Sequence, residues 1–147
     1  MENLKLVEIL LVDDNPGDAM LTQEAFKDGK VKNNLHIVYD GVEATDFLFK
    51  RNKYANAPRP DLIILDLNLP KKNGKEVLAE IKTDDSLKRI PVIILTISKA
   101  EEDIVKSYEL HANCFLTKPI DLNKFFDVVR SIEDFWLTLV KLPDYEK

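Results

Sequence analysis

The chain predicts a doubly wound α/β domain built on a parallel sheet, and two observations carry that expectation. Five short apolar runs, "VEILLV" (7–12), "LHIVY" (35–39), "LIIL" (62–65), "VIIL" (92–95) and "NCFL" (113–116), are rich in β-branched residues and continuous rather than alternating. Strands of that pattern are covered on both faces. Between the runs lie segments of helical period joined by short loops. Right-handed crossovers then distribute the helices over both faces of the sheet.

The helices have readable ends. Asn15 serves as N-cap and Pro16 as first helical residue of a segment that Gly29 closes. Asp40 caps a helix over 41–51, in which Val42, Phe47, Leu48 and Phe49 supply apolar contacts. The span 74–83 puts Val77, Leu78 and Ile81 on one stripe. Ser98-Lys99-Ala100-Glu101 has capping-box spacing and opens 99–110, and Asp121 caps a last helix from Leu122 towards Trp136. The one longer connection, "KRNKYANAPRP" (50–60), is polar and punctuated by proline. No internal repeat, low-complexity stretch or second domain interrupts the pattern.

A chain of 147 residues suits one domain, and folding at this length buries roughly 68–70% of the unfolded surface. With 21 basic and 26 acidic residues the net charge is −5, which argues against non-specific nucleic-acid binding. The single cysteine, Cys114, excludes an intramolecular disulfide; within "NCFLT" it reads as a small buried hydrophobe rather than a reactive thiol. No stretch reaches the roughly 20 apolar residues of a membrane span. The N-terminus "MENLKLVEILLVDD" is no signal peptide. The expected location is the cytoplasm, with no membrane partner.

Four of the apolar runs finish on polar groups: Asp13-Asp14, Asp66, Thr96 and Thr117-Lys118. All are C-terminal strand ends, which in an open parallel sheet share one edge, where ligands bind. Taken singly, an acid after a strand is more often a turn residue, and a lysine before proline a solvated one. The joint occurrence points to chemistry. Three carboxylates gathered at one edge would repel one another and raise each other's pKa, and a divalent cation removes that conflict. An all-oxygen set with room for water suits Mg2+. No Cys/His set for zinc is present; His36 within a strand and His111 near a helix end read as packing or surface residues.

Asp66 is then the natural nucleophile. A carboxylate accepts a phosphoryl group as an acyl phosphate when a metal and a cation neutralise the developing charge. Lys118 would supply the cation and Thr96 a hydroxyl for a phosphoryl oxygen. Asn68 could offer its backbone carbonyl to the metal, and Gly74 after "LPKKN" permits a tight return into the third helix. With no Walker loop and no G-x-G-x-x-G, the phosphoryl group must come from a partner or a small donor rather than from ATP bound here.

These residues resemble the receiver domain of two-component response regulators (CheY-like) over about 7–132. The acid pair Asp13-Asp14, "LDLNLPKKNG" with Asp66, Thr96 after "VIIL", and "FLTKP" with Lys118-Pro119 carry the resemblance. It implies a five-stranded sheet of order 2-1-3-4-5, a receiver domain at 5–133 and a C-terminal extension at 134–147. It also implies that Asp14, Asp66 and the Asn68 carbonyl bind Mg2+ directly, that Asp13 acts mainly through water, and that the Lys118–Pro119 bond is cis. Asp66 would take its phosphoryl group from phosphohistidine on a sensor histidine kinase. "NLPKKNGKEVLAEIK", "LKRIPVIILT", "SYELHANCFLTKP" and "IEDFWL" are similar to stand-alone regulators of cyanobacterial and bacterial phytochrome kinases. Catalysis beyond self-phosphorylation and self-dephosphorylation is not expected.

Two positions depart from the family's habit. Phe115 takes the aromatic switch position often held by Tyr, which removes a hydroxyl but leaves ring motion. Ile97 is bulkier than the small residue usual after the Thr, and narrows access to the acyl phosphate. Signalling is then expected as a population shift in which the Thr96 loop moves and Phe115 packs into the vacated space. No output domain follows, so output would be a protein contact with an unidentified downstream partner. The C-terminal apolar residues, Phe135 and Trp136 among them, read either as packing beneath a terminal extension or as a homodimer patch.

Two other readings compete. A haloacid-dehalogenase-like Mg2+ phosphohydrolase also uses Asp, Thr, Lys and an acid pair, but it places its nucleophile first, on D-x-D. Here the acid pair comes first and Leu67-Asn68 follow Asp66, with no second acid for a leaving group. A receiver-like binding module that is never phosphorylated would not need the full set of Asp13, Asp14, Asp66, Thr96 and Lys118.

Overall fold

The computed structural model describes residues 7–27, 33–96, 114–118, 121 and 123–124. Strands β1 (Val7–Val12), β2 (Asn33–Val38), β3 (Leu62–Asp66), β4 (Val92–Thr96) and β5 (Cys114–Thr117) form one sheet, every neighbour parallel, in the order β2-β1-β3-β4-β5. Helices α1 (Pro16–Lys27), α2 (Gly41–Leu48) and α3 (Gly74–Thr83) connect the strands. The predicted doubly wound sheet and its order are those observed. Gly29, Ile97, the helix at 99–110, His111, Pro119 and the chain from 125 onward, with Phe135 and Trp136, lie outside the described residues, as do the side chains of Thr96 and Cys114.

Two cores flank the sheet, which is why the strand sequences do not alternate. Leu10, Val12, Val38, Ile63, Leu65 and Ile94 meet Ala44, Phe47, Val77, Leu78 and Ile81 on one face. Ile9, Leu11, Leu62, Ile64, Ile93 and Leu95 meet Ala19 and Phe26 on the other. Val77, Leu78 and Ile81 are fully buried, as the helical stripe predicts. Val42 is not: it is 41% exposed and turns away from the core, contrary to its expected contact. His36 packs as expected, its ring 5.4 Å from that of Phe47 and its Nε2 2.7 Å from Glu8 Oε1.

The helix starts follow their capping chemistry. Asn15 Oδ1 accepts the Asp18 amide at 3.0 Å, and Asp40 Oδ1 accepts the Glu43 amide at 2.8 Å. Asn73 and Glu76 form a reciprocal capping box at the head of α3, a pairing the sequence reading overlooked. Asp121 Oδ1 accepts the amide of Asn123 at 2.8 Å, and residues 123–124 are helical. Strand β2 runs two residues earlier than the apolar pattern suggests, because all six residues of β1 find partners from Asn33 to Val38. Tyr39 leaves the sheet and is 43% exposed.

The end of α2 differs from expectation for a nameable reason. The helix stops at Leu48, not 51, in a Schellman turn: Arg51 N–H donates to Asp46 O at 2.8 Å and Lys50 N–H to Phe47 O at 3.3 Å. Lys50 occupies the left-handed position with φ 58°, where no glycine advertised the stop. A short 3-10 turn at Asn52–Tyr54 follows, and Tyr54 packs on Phe47 while donating to Glu43 Oε1 at 2.9 Å. A left-handed L-residue costs about 1–2 kcal/mol, offset in part by glycine's greater freedom when unfolded. Lys50→Gly is therefore expected to raise the unfolding free energy by roughly 0.5–1 kcal/mol in a denaturant titration; a lower value would contradict this end geometry.

Candidate functional site

The parallel sheet delivers its polar strand ends to one rim. Asp13 and Asp14 follow β1 directly, Asp66 is the last residue of β3, Thr96 the last of β4, and Lys118 follows β5. Register sets the depth: Asp66 pairs with Leu95, and Leu95 with Leu116, so Lys118 emerges just above the Asp66 carboxylate. Its Nζ lies 2.6 Å from Asp66 Oδ2 and 3.1 Å from Asp13 Oδ1. Carboxylate oxygens of Asp13, Asp14 and Asp66 all lie within 4.8 Å of one another. The cluster expected from the sequence is thus assembled, with Asp13 and Asp66 buried and Asp14 exposed.

A fourth acid joins them. Asp18, in the first turn of α1, places Oδ2 3.4 Å from Lys118 Nζ. No apolar run ends at Asp18, so the strand-end pattern does not mark it. The signal was there in outline, since a helix capped at Asn15 must carry Asp18 on its first turn beside the Asp13-Asp14 rim.

Burial, more than crowding, sets the electrostatics. Desolvation pushes the Asp66 carboxyl above its ordinary range; Lys118 and the Asn68 amide pull it down, and Asp13 adds a smaller upward push. The expected upward push between neighbouring carboxylates is present in the contribution of Asp13, but at a nearly solvent-free strand end losing water outweighs a neighbouring charge. For Lys118, burial favours the neutral amine, yet the bonds to Asp66 and then Asp13 outweigh it and raise the pKa. Lys118 is a half-buried counter-ion here, not a solvated loop residue.

The residues present fit a divalent cation. Asp13 Oδ1 is taken by Lys118 and by the Asn15 amide at 3.0 Å, but Asp13 Oδ2 is buried with no hydrogen-bond partner among the described residues. A desolvated carboxylate oxygen without a donor is costly. A cation bound beside it would satisfy it, and the exposed Asp14 leaves room for waters, as Mg2+ prefers. Among the described residues, the Lys118 ammonium pairs with Asp13, Asp18 and Asp66 while Asp14 stands beside them, so negative charge remains to be neutralised.

Because Asp14 is the exposed member, its removal should relieve little. Asp14→Asn is expected to leave metal-free stability within about 0.5 kcal/mol of wild type, or slightly above it, and to cut the stabilisation that Mg2+ adds. Melting curves with and without the ion test this; a clear loss of metal-free stability would contradict the geometry.

The loop after β3 holds Asp66 in place. Asn68 N–H donates to Asp66 Oδ1 at 3.1 Å, and Gly74 N–H to Leu67 O at 2.9 Å, closing the loop on itself. Gly74 does allow the tight return, but through space rather than dihedral freedom: no glycine among the described residues has positive φ, while a Cβ on Gly74 would stand 2.7 Å from Leu67 Cα. Phe115, on β5 beside Ile94, is half-buried against the core that contains Phe47 and Ile94.

A doubly wound sheet with a lysine-paired buried aspartate in an acid cluster at its C-terminal rim is an arrangement that fits a phosphoacceptor domain. Residues 9–130 match the response regulator receiver domain, and the chain belongs to that family. It is 53% identical over 135 residues to response regulator Rcp1 of Synechocystis sp., covering 92% of each chain. A solved Mn2+-bound form of Rcp1 shares 52% identity at a TM-score of 0.74, with 93% of this chain and 99% of that one aligned. The phosphorylated cyanobacterial phytochrome response regulator RcpA shares 50% identity at a TM-score of 0.76, with 95% and 99% aligned. The role as a phosphoryl-accepting response regulator in two-component signalling follows from this membership. No helix among the described residues is long and apolar enough to cross a membrane.

Proposed function

We propose that the chain accepts a phosphoryl group on Asp66 from a sensor histidine kinase of phytochrome type, in a Mg2+-dependent transfer, and signals by a phosphorylation-dependent protein contact. The observation that carries this reading is the 2.6 Å contact between Lys118 and the buried Asp66 inside the acid ring. The phytochrome assignment is supported by the likeness to RcpA, a cyanobacterial phytochrome response regulator. The metal is supported by the Mn2+ form of Rcp1 and by the orphaned Asp13 oxygen.

Each residue has a role in the transfer. An Asp66 carboxylate oxygen attacks phosphorus, the P–N bond to the kinase histidine breaks, and the imidazole departs with that electron pair. Lys118 is placed to turn from the carboxylate to a phosphoryl oxygen. Thr96 offers its hydroxyl to another, and Phe115 moves in response. Asp13, Asp14, Asp66 and the Asn68 carbonyl would hold Mg2+, which would supply positive charge to offset that on the phosphoryl oxygens. Small acyl phosphates would serve as donors, and water would return Asp66 and inorganic phosphate. The chain acts in the cytoplasm without nucleic-acid or membrane partners, and pairs with a second copy through Phe135 and Trp136.

Incubation of the purified chain with acetyl phosphate and Mg2+ should add the mass of one phosphoryl group. Chelation of the metal should abolish the gain. Equal labelling with and without Mg2+ would overturn the metal-dependent reading.

A further inference from the structure

Gly41, at the head of α2 and outside the acid ring, abuts the loop between β3 and α3. A Cβ there would stand 2.6 Å from the carbonyl carbon of Lys72, and nearer still to its oxygen. The obstacle is backbone, so no rotamer change relieves it; the loop would have to move. Gly41 does not have positive φ, so close approach alone demands glycine.

Three further contacts fasten the same loop to α2 and its cap. Gly41 N–H donates to Pro70 O at 3.4 Å. Lys71, held at φ 67°, pairs with the cap residue Asp40 at 3.4 Å. Lys72 Nζ reaches Thr45 Oγ1 at 3.3 Å and Glu80 Oε2 at 2.6 Å, tying the loop to α2 and α3 together. From there the chain leads back to the site: Lys72 N–H donates to Pro70 O at 2.7 Å, Gly74 N–H to Leu67 O at 2.9 Å, and Asn68 N–H to Asp66 Oδ1 at 3.1 Å.

We propose that the close approach of Gly41, at the head of α2, sets the position of the metal-binding loop, with Gly41 the positioning residue and Lys72 the tether. The inference rests on the reading of Asp66 and the Asn68 carbonyl as Mg2+ ligands. Neither Gly41 nor Lys72 belongs to the acid cluster; both would act through the loop that carries Asn68. Displacing that loop moves one ligand relative to the others, and metal affinity falls with the lost geometry.

The test is a calorimetric Mg2+ titration of the full chain as wild type, Gly41→Ala, Lys72→Met and Val42→Ala, at a temperature where circular dichroism shows each folded. Acetyl phosphate labelling is followed in parallel across Mg2+ concentrations. Gly41→Ala should bind Mg2+ about tenfold more weakly, and Lys72→Met several-fold more weakly. Val42→Ala, at the neighbouring exposed position, should match wild type. The labelling deficit should close as Mg2+ is raised, which a plain loss of folded protein would not do. Wild-type Mg2+ affinity in Gly41→Ala would overturn the proposal. Should that variant not fold, wild-type affinity in Lys72→Met would overturn it instead. A wild-type chain that neither binds Mg2+ nor takes label would sink the proposed function, so the two failures are distinct.

Discussion

Replacing Lys118 with alanine is expected to destabilise the metal-free protein by about 3 kcal/mol, the lower end of the range for breaking a buried ion pair. The Lys118 side chain is 14% exposed, and it faces Asp66 and Asp13 side chains that are 4% and 1% exposed. Its removal leaves two buried carboxylates without their counter-ion. The comparison inside the same chain is Lys27 with Glu24 at 3.5 Å, 64% and 61% exposed. Such a surface pair contributes about 0–1 kcal/mol and should be dispensable.

Two linked expectations sharpen this one. Mg2+ should raise the melting temperature of Lys118→Ala more than that of wild type, because the ion replaces the missing positive charge. The sign of the pH dependence also follows. The Asp66 carboxyl is raised by burial, so its contribution to stability is full when it is protonated and is lost as pH rises through the folded value. Without Lys118 the downward pull is gone, the carboxyl rises further, and the gap to wild type should narrow on acidification. A variant as stable as wild type in the absence of metal would contradict the buried pair.

Gly74→Ala is the second large expectation, a loss of about 2–3 kcal/mol from overpacking. The added Cβ meets Leu67 Cα at 2.7 Å and lies closer still to the Asp66 carbonyl oxygen, both backbone atoms. No side chain can swing aside to make room. The displaced atoms belong to the phosphoacceptor and its neighbour, so labelling by acetyl phosphate should fall by as much as about 10²-fold, as ångström-scale misplacement of a reacting group does. Chemical denaturation and labelling rates read the two effects separately. An alanine variant of wild-type stability would show that the loop does not pass where the structure puts it.

Much of this site could be read from residue order because it depends on strand ends, and strand ends are marked by polarity. Asp66 after "LIIL" and Lys118 after "NCFLT" needed only the rule that parallel strands finish on one edge. Caps at Asn15 and Asp40 were legible because a short polar side chain beside a helical period has one common use. Other features left no such mark. The stop of α2 falls on Lys50, a residue with no preference for the left-handed region, so only the tertiary fold reveals it. Val42 and Phe47 look alike as apolar residues of one helix, and which of them faces the sheet depends on how α2 is rotated against it. Gly41 reads as an ordinary helix start until Lys72, far along the chain, is found against it. Burial, the larger contribution to the Asp66 shift, left no mark for a related reason: charge is visible in a sequence, whereas depth is not.

The most direct measurement is to label the wild-type chain with acetyl phosphate and Mg2+, reduce the acyl phosphate with borohydride, and locate the resulting homoserine by peptide mass mapping. The modified residue should be Asp66 alone. Reduction product at Asp13, Asp14 or Asp18, with Asp66 intact, would contradict the account.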